Sequence, residues 1–500
     1  MPPKLHTQRT RKCKTSCINL CSEWRNGQLC GGAASHAQQP RQWSESRRDL
    51  NVRLQNPSLN LKQQREILQA NGEMGSWVVE MQYRLNAARI DWSQEDQSGR
   101  TIYKVPPLIS NVNKKAYQPR VVSFGPYHHG EPHLKSMEAH KERALLCCIH
   151  RSGLLVQEVF AFVAEVAQEL KDSYDSLDSA WQHDTDKFVQ LMMLDGCFML
   201  ELVRVAYQSE NYYFGNDPVF SRHGDLYLVP FIKADMLLLE NQLPMLLLIK
   251  LKCILENIEP DIEDLNADIL WLLDHDISKY SDIGKCLHVL DLHRKGLLHG
   301  NAAPQSPDQS PDQREGKNNR VGHNVVRPAT ELHEAGVRFM KSKSTSLLDI
   351  TFDGGILKLP NFMVDDDAES MFLNLIAFER CHIPAGSDIT SFVAFMDNII
   401  DDDRDIKLLS SKGIIDNNIG TDKEAADLFN TMSKDLAMEM NNNLGQVYKN
   451  LITYCNTPWH KWRANLTQIY FRNPWAIISV IAAFILFSLA TVQTIFTILN

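Results

Sequence analysis

The sequence has few of the features that mark secreted or metal-binding domains. Its 11 cysteines form no C-x-x-C pair and no regular framework, which argues against a structural zinc site and against a small domain held by disulfides. The opening stretch MPPKLHTQRTRKCKTSC has no apolar segment as long as a secretory signal needs. These absences predict a reduced protein with a cytosol-facing body. An organelle transit peptide is the less favoured interpretation of the basic start.

Charge is unevenly spread, with a basic first tenth of the chain and an acidic remainder. The net charge is −9, yet residues 1–50 hold nine Lys or Arg against three acids, so the remainder is clearly acidic. Nucleic acid is therefore excluded as a general partner, because its phosphates need clusters of Lys and Arg. Hydrophobic residues make up 44% of the 500, which is enough for a large core.

Familiar catalytic motifs are missing as well. The sequence contains no G-x-x-x-x-G-K-[ST], G-x-G-x-x-G, G-x-S-x-G or H-E-x-x-H pattern. The histidine group that stands out is His128, His129, His133 and His140, which begins in the stretch VVSFGPYHHG, residues 121–130. A metal site or an active site is one interpretation, but glycine and proline interrupt any helix that would align these imidazoles. We favour a packing corner, in which Pro126 fixes the turn and Tyr127 anchors it.

A very apolar segment carries a carboxylate at its middle. Residues 186–207, DKFVQLMMLDGCFMLELVRVAY, predict a central buried helix that contains Asp195. A buried carboxylate must find a partner or stay protonated. We therefore expect Asp195 to lie in a buried hydrogen-bond network.

A second apolar segment, residues 235–255, predicts a pair of core helices. Asp235 is a plausible N-cap, and Pro244 should kink or restart the helix. The triplet Glu240-Asn241-Gln242 precedes this proline. We expect these three side chains to bond the carbonyl groups that the break leaves unpaired, and one network shared with Asp195 is an alternative to separate ones.

The clearest β signal is LLDITFDGGILKLP, residues 347–360. Apolar alternation followed by Asp353-Gly354 predicts a two-residue type I′ hairpin turn. This turn pairs Asp349 with Lys358 and sets aliphatic side chains on the other face. A turn at Gly354-Gly355 is the alternative and shifts the partners.

Composition divides the chain into four regions. Residues 1–75 predict a disordered basic extension. Residues 76–455 predict a helical body with a flexible insertion at about 301–328. Residues 456–474 predict a basic and aromatic juxtamembrane segment. Residues 475–499, from Trp475 to Leu499, carry no charge and predict one transmembrane helix. The basic residues that precede this run, with no acid after Glu439, place the body in the cytosol.

Long stretches of the chain resemble one family. They are KVPPLISNVNKKAYQPRVVSFGPYHHGEPHLKSMEAHKERAL, MMLDGCFMLELVR, DMLLLENQLPMLLLIKL, CLHVLDLHRKGLL, ATELHEAGVRFM and LLDITFDGGILKLPNFMVDD. Together they resemble the plant domain-of-unknown-function 247 family, the UPF0481-type proteins, in order through residues 77–499. The positions that carry the family signature are Phe124, Gly125, Pro126, Tyr127, His128, His129, Gly130, Asp195, Gly196, Glu240, Asn241, Gln242 and Pro244.

The resemblance implies a mainly helical plant protein with a small β-hairpin, one C-terminal membrane segment and no established catalytic activity. Some relatives are implicated in pollen–stigma self-recognition, which suggests interaction rather than catalysis, and no catalytic, cofactor or metal residue is carried over. We predict a membrane-anchored interaction or signalling protein of the plasma membrane or an endomembrane. It contacts lipid through residues 475–499 and binds an unidentified protein partner. Two alternatives stay open: a hydrolase or transferase that uses His128 or His129 with Asp195, and a metal-binding regulator.

Overall fold

The computed structural model describes residues 99–111, 113–207, 213, 215–259, 261–274, 282–299, 326–434, 436, 442–459 and 474–499. All of them belong to one compact unit, Gln97–Asn500. The basic extension at 1–75, the insertion as far as residue 325 and most of the segment 456–474 lie outside the described residues. What the sequence predicts for those regions stays a prediction.

The described residues fold into eighteen α-helices and five short strands, which confirms a mainly helical protein. The helices are α1 Pro107–Ser110, α2 Glu138–Ser152, α3 Val156–Ala164, α4 Ala167–Asp172, α5 Ser179–His183, α6 Thr185–Tyr207, α7 Arg222–Tyr227, α8 Val229–Met236, α9 Met245–Glu256, α10 Ile262–Asp274, α11 Val289–Leu298, α12 Ala329–Ala335, α13 Ala368–Cys381, α14 Asp388–Ile399, α15 Asp403–Ser411, α16 Asp422–Met432, α17 Asn443–Asn456 and α18 Pro474–Leu499. The strands are β1 Arg338–Lys341, β2 Thr351–Asp353, β3 Ile356–Leu359, β4 Phe362–Val364 and β5 Ile415–Asn417.

Helix α6 is the centre of the first hydrophobic core, as its apolar sequence predicts. Helices α2, α3, α9 and α10 pack around it, and Phe188, Phe198 and Leu202 are among its buried side chains. The closest approach is at Gly196, where a β-carbon would lie 2.4 Å from Cδ1 of Leu251 in α9. A larger residue at this position would force the side chains of Leu251 and Leu247 to move.

The second hydrophobic core gathers helices α12 to α17 and both sheets. In the larger sheet β3 is central, parallel to β1 and antiparallel to β2, while β4 and β5 form a separate parallel pair. Phe362 of β4 meets Phe392 and Phe429 edge-on, at centroid distances of 5.6 and 5.8 Å. Leu239 and Leu290 come from the first part of the chain and are buried in this core. The two cores therefore meet within one unit.

The hairpin lies where the sequence predicts it, but its register is different. Lys358 pairs with Thr351 rather than with Asp349, because the turn is made by Gly354 and Gly355, at φ +54° and +78°. Both turn positions of a type I′ hairpin need positive φ, which two glycines adopt without strain. The turn predicted one residue earlier would have placed an aspartate in that conformation, and it is wrong.

The segment 235–255 restarts at its proline, as predicted. Pro244 is the N-cap residue of α9, at φ −57° and ψ 134°. Asp235, however, is not an N-cap: it lies in the last turn of α8, and its carboxylate binds the backbone of residues 120–122. The expected helix pair is therefore the end of one helix, a loop and a new helix.

The C-terminal helix α18 differs from the others in its surroundings. Its side chains that the structure describes, between residues 478 and 498, are all exposed. Among the described residues no single helix is both long and apolar enough to cross a membrane, and Ile481–Ile495 is an apolar helix below that length. One bent pair, Lys135–Ser152 with Val156–Ala164, reaches the required length only as two parts at 104°. The side chains of Trp475 and Leu499 lie outside the description.

Candidate functional site

The stretch VVSFGPYHHG is held in place by polar side chains that are distant in sequence. Asp235 is the first of them: its carboxylate accepts the backbone N–H groups of Arg120, Val121 and Val122 at 2.8, 2.7 and 2.9 Å. Burial raises the pKa of Asp235, and the three N–H groups act against that rise. A single neighbouring strand does not pair with three consecutive amides, whereas the two oxygens of a carboxylate can accept all of them. The segment is thereby attached to the end of α8.

Asn241 extends this attachment from the loop between α8 and α9. Its side-chain oxygen accepts the N–H of Phe124 at 2.7 Å, and its amide group donates to the carbonyl oxygens of Val122 and Asp235 at 3.0 and 2.9 Å. The side chain is fully buried. Asn241 therefore bonds the backbone of residues 122–124 and the backbone of Asp235 at the same time. These bonds confirm the predicted network for this residue.

The side chain of Gln242 forms hydrogen bonds inside the loop between α8 and α9. Its amide group donates to the carbonyl oxygens of Met236 and Leu238, both at 2.7 Å, and its oxygen accepts the N–H of Leu290 at 3.0 Å. The backbone carbonyl of Gln242 accepts the hydroxyl of Tyr174 at 3.0 Å. The carbonyls at the end of α8 are thus bonded by the residues before the proline, as the sequence predicts.

Asp195 of α6 binds the same stretch, VVSFGPYHHG, at the backbone of Gly125. One oxygen accepts the N–H of Gly125 at 2.8 Å, and the other lies 2.7 Å from Nζ of Lys141 in α2. Lys141 also donates to the carbonyl of Ser123 at 2.7 Å and lies 2.8 Å from Glu138. Burial by itself lowers the pKa of Lys141, but the two carboxylates outweigh it and hold that pKa above its ordinary value. A buried ion pair therefore fixes the turn to two helices.

Gly125 is required by the close approach of the backbone. Its φ is +75°, and a β-carbon would lie 2.8 Å from the hydroxyl of Tyr174 and 2.9 Å from the carbonyl oxygen of Gln242. Pro126 follows it in a buried position. Gly130 also has a positive φ, of +88°, but with open space around it. Gly125 is thus needed for both packing and backbone conformation, and Gly130 for backbone conformation alone.

Tyr127 and His129 anchor the far end of the stretch to neighbouring aromatic and backbone groups. The hydroxyl of Tyr127 donates to the carbonyl oxygens of Asp175 and Ile102, and burial raises its pKa far above the ordinary value. The ring of His129 meets Trp181 edge-on at 5.5 Å between centroids. Both side chains serve as packing anchors in this arrangement.

His128 lies between two carboxylates. Its Nδ1 is 2.7 Å from Oε1 of Glu131, and its Nε2 is 3.5 Å from Oε2 of Glu240. Glu240 in turn accepts the N–H of Val105 at 2.6 Å. The imidazole thus joins the turn to the loop that carries the triplet, and Glu240 has an internal partner as predicted.

Among the residues that the structure describes, no hydrogen bond or ion pair joins Asp195 to His128 or His129, the groups that the enzyme alternative uses. Both oxygens of Asp195 are engaged, with Lys141 and with the Gly125 amide, while His128 contacts Glu131 and Glu240. The metal alternative has no geometric support either. In the parts of the chain that the structure describes, no group of three or more His, Cys, Asp or Glu side chains is placed to hold a metal ion.

Sequence reasoning missed the partners that make this arrangement work. Lys141 is fully buried, but in the sequence it is one of several basic residues in a polar helix, and nothing there indicates its burial. The sequence predicts an N-cap at Asp235, whereas this residue lies in the last turn of α8, and no pattern in the sequence marks Tyr174 as a partner. The spacing of Glu138 and Lys141, three residues apart on a helix, gives one clue to an ion pair. The contact of Lys141 with Asp195 is fixed only by the packing of α2 against α6.

The exposed apolar surface of α18 is the second candidate site. Phe484, Phe487 and Ile498 are 71%, 74% and 77% exposed. Apolar side chains are exposed on every face of the described part of this helix, from 478 to 498. Contiguous exposed apolar surface on a protein marks a site of contact with a partner or a membrane.

The two candidate sites are thus a buried, hydrogen-bonded packing corner in a mainly helical body and an exposed apolar C-terminal helix. The family model described as "Plant protein of unknown function", domain of unknown function 247, matches residues 102–489. The chain belongs to this family. It is 30% identical to the UPF0481 protein At3g47200 of Arabidopsis thaliana, over 80% of this chain and 86% of the relative. It is 22% identical to a second UPF0481 protein of that plant, At3g02645, over 83% and 93% of the two chains. No solved structure matches the chain.

Proposed function

We propose that this protein is a membrane-anchored interaction protein. Its C-terminal segment, residues 475–499, inserts into a bilayer and holds the helical body at the cytosolic surface, where the body binds a protein partner. The observation that carries the proposal is the all-round exposure of apolar side chains on α18, such as Phe484 and Phe487. Burying these side chains in lipid removes apolar surface from water, at about 25 cal/mol per Å².

Length supports insertion once the whole uncharged run is counted. The apolar helix Ile481–Ile495 is about 22 Å long, which is shorter than a hydrocarbon core of about 30 Å. The sequence flanks it on both sides with uncharged residues, from Trp475 to Leu499. A helix of that full run reaches about 37 Å, enough to cross with some tilt.

Charge and thiol state support a cytosolic body. Lys449, Lys461, Arg463 and Arg472 precede the run, and no acid follows Glu439, which is the pattern of a cytosolic flank. The seven described cysteines are free thiols, including several in the core, as in a reducing compartment.

Membrane attachment is tested by fractionation of plant microsomes that contain the full chain. We expect the protein to stay in the membrane after extraction at alkaline pH, and added protease to digest the body in sealed microsomes. Phe487→Lys places a charge at the centre of the run, which costs about 2.5–3.5 kcal/mol, and should release the protein. Asn450→Lys, at an exposed position of α17, is the matched control and should behave as the wild type.

Two outcomes would contradict the proposal. Extraction of the wild-type protein at alkaline pH would show that the helix does not span the bilayer, and protection of the body from protease would reverse the orientation. Partner binding is tested separately, by proximity labelling from the wild-type chain and from Phe487→Lys in the same tissue. A labelled set that is the same for both chains would show that membrane position does not select the partner.

A further inference from the structure

A groove opens where the two hydrophobic cores meet. It has a volume of about 420 Å³ and lies between α8, α11 and the start of α13. Leu237, at the end of α8, packs against both cores and lines this groove. The volume falls in the range of about 300–1,000 Å³ that is usual for small-molecule sites. We name this feature the core-junction groove.

The walls of the core-junction groove are fixed by hydrogen bonds. The loop that precedes β2 is tied to α11, because Leu347 N–H donates to the carbonyl of Leu297 at 2.9 Å and Ser346 Oγ donates to that of Leu298 at 2.6 Å. On the opposite side, Ser370 Oγ donates to the carbonyl of Ala116 at 2.6 Å. A ligand that enters such a preformed site orders little further structure, which favours binding.

Most of the lining is apolar and well suited to a hydrocarbon or aromatic group. The apolar side chains include Leu237, Leu273, Leu297, Leu347, Met363 and Phe372. Met363 is 54% exposed at the rim. A methionine and several leucines adapt to ligands of different outline. The groove therefore provides an apolar body site with one open side.

Asp365 is the polar group that distinguishes this groove. It is half-buried at the end of β4 and lines the cavity, and its carboxylate accepts the N–H of Asp367 at 3.2 Å. Burial raises the pKa of Asp365 above its ordinary value. Asp367 has its own cation, Arg120 at 2.6 Å, and Lys233 in the lining also has a partner. Among the described residues, no Lys or Arg forms an ion pair with Asp365.

We propose that the core-junction groove binds a small organic amine, whose apolar group fills the cleft and whose ammonium group pairs with Asp365. A partly desolvated carboxylate without a cation of its own is stabilised by a ligand that brings one. An organic acid of the same shape is repelled by the same carboxylate. This site lies in the body and does not depend on membrane attachment.

The test compares two ligands of the same shape and opposite charge. The full chain in lipid nanodiscs is titrated with 3-phenylpropylamine and with 3-phenylpropionate, and empty nanodiscs serve as the blank. We expect saturable binding of the amine, at least tenfold tighter than that of the acid. Asp365→Asn removes the charge but keeps an acceptor for the Asp367 N–H, and should abolish the preference for the amine. Asp366→Asn, at the exposed neighbouring position outside the lining, should leave it unchanged.

A second pair of variants tests the location of the ligand. Ala234→Phe fills the groove from α8 and should reduce amine binding at least tenfold, whereas Ala161→Phe, at an exposed site on α3, should not. The thermal midpoint of each variant shows whether it is folded. If Ala234→Phe does not fold, the loss of amine preference in Asp365→Asn tests the proposal instead. Equal binding of amine and acid to the wild-type chain, no saturable binding, or amine binding that survives in folded Ala234→Phe would overturn the proposal.

Discussion

Nζ of Lys141 lies 2.7 Å from Oδ1 of Asp195, and neither side chain is exposed to solvent. This pair connects α2 to the centre of α6, and through the Gly125 amide it fixes the turn of VVSFGPYHHG. Two charges removed from water stabilise a fold only while both are present, because the desolvation cost of each is offset by the other. The pair is therefore the point at which this packing corner is most sensitive to substitution.

Lys141→Met should destabilise the protein by about 3–5 kcal/mol, because it leaves Asp195 buried without its cation. Lys343→Met, at an exposed position, should change the free energy of unfolding by less than about 0.5 kcal/mol. Urea denaturation followed by tryptophan fluorescence measures both. The double variant Lys141→Met, Asp195→Asn should recover part of the loss, because it removes both charges and keeps an acceptor for Gly125. Equal stability of the two lysine variants would contradict this.

Asp235→Ala should be among the most destabilising substitutions outside the apolar core. It leaves the N–H groups of residues 120–122 without their acceptor, and each buried unpaired group costs about 1–3 kcal/mol. Asp225→Ala removes an exposed carboxylate of α7 and serves as the control. Hydrogen exchange of the three amides gives a direct measurement: we expect protection to be lost in the first variant alone. Retained protection in Asp235→Ala would show that these amides have another acceptor.

The two hairpin glycines should respond differently to substitution. Gly354→Asn should change stability little, since asparagine tolerates positive φ and the site is open. Gly355→Ala should cost more than about 1 kcal/mol, because its φ is +78° and its β-carbon would lie 2.6 Å from the hydroxyl of Tyr454. Thermal unfolding of the two variants provides the comparison. The register with the turn at Asp353-Gly354 would reverse this order.

His288 should make stability depend on pH in a defined window. Its Nδ1 accepts the N–H of Asp291 at the start of α11, and its Nε2 donates to the carbonyl of Thr101, so the neutral ring fits the site. Burial lowers its pKa from 6.5 to about 4. The unfolded chain therefore binds the extra proton first as pH falls, and stability decreases from about pH 6.5 to pH 4, by up to about 1.4 kcal/mol per pH unit.

The variant His288→Asn keeps a helix-capping side chain but does not titrate in this window. Its free energy of unfolding should fall less steeply between pH 6.5 and 4 than that of the wild type. His183→Asn, at an exposed position, is the matched control and should keep the wild-type slope. Parallel slopes for the wild type and His288→Asn would assign the acid sensitivity to other groups.

Local pattern was sufficient for several parts of this fold. The apolar run of α6 predicts a buried helix, because no face of it is polar enough to meet water. Alternation followed by glycine located the hairpin, and the proline located the break between α8 and α9. These features depend on residues close together in the chain, so their spacing carries the information. Local spacing does not decide between a turn at Asp353-Gly354 and one at Gly354-Gly355, because both turns contain glycine.

The sequence by itself determined that the protein is mainly helical, that Asp195 and the triplet before Pro244 need buried partners, and that its C-terminal run is uncharged. Only the tertiary structure decided which partners these are. Lys141 reaches Asp195 because α2 packs against α6, and Asp235 reaches residues 120–122 because that non-helical segment lies against the end of α8. The same is true of the core-junction groove, whose carboxylate and apolar walls come from four helices, from strand β4 and from the loops beside them. Such contacts have no fixed spacing in sequence, since they follow from how the two cores close upon each other.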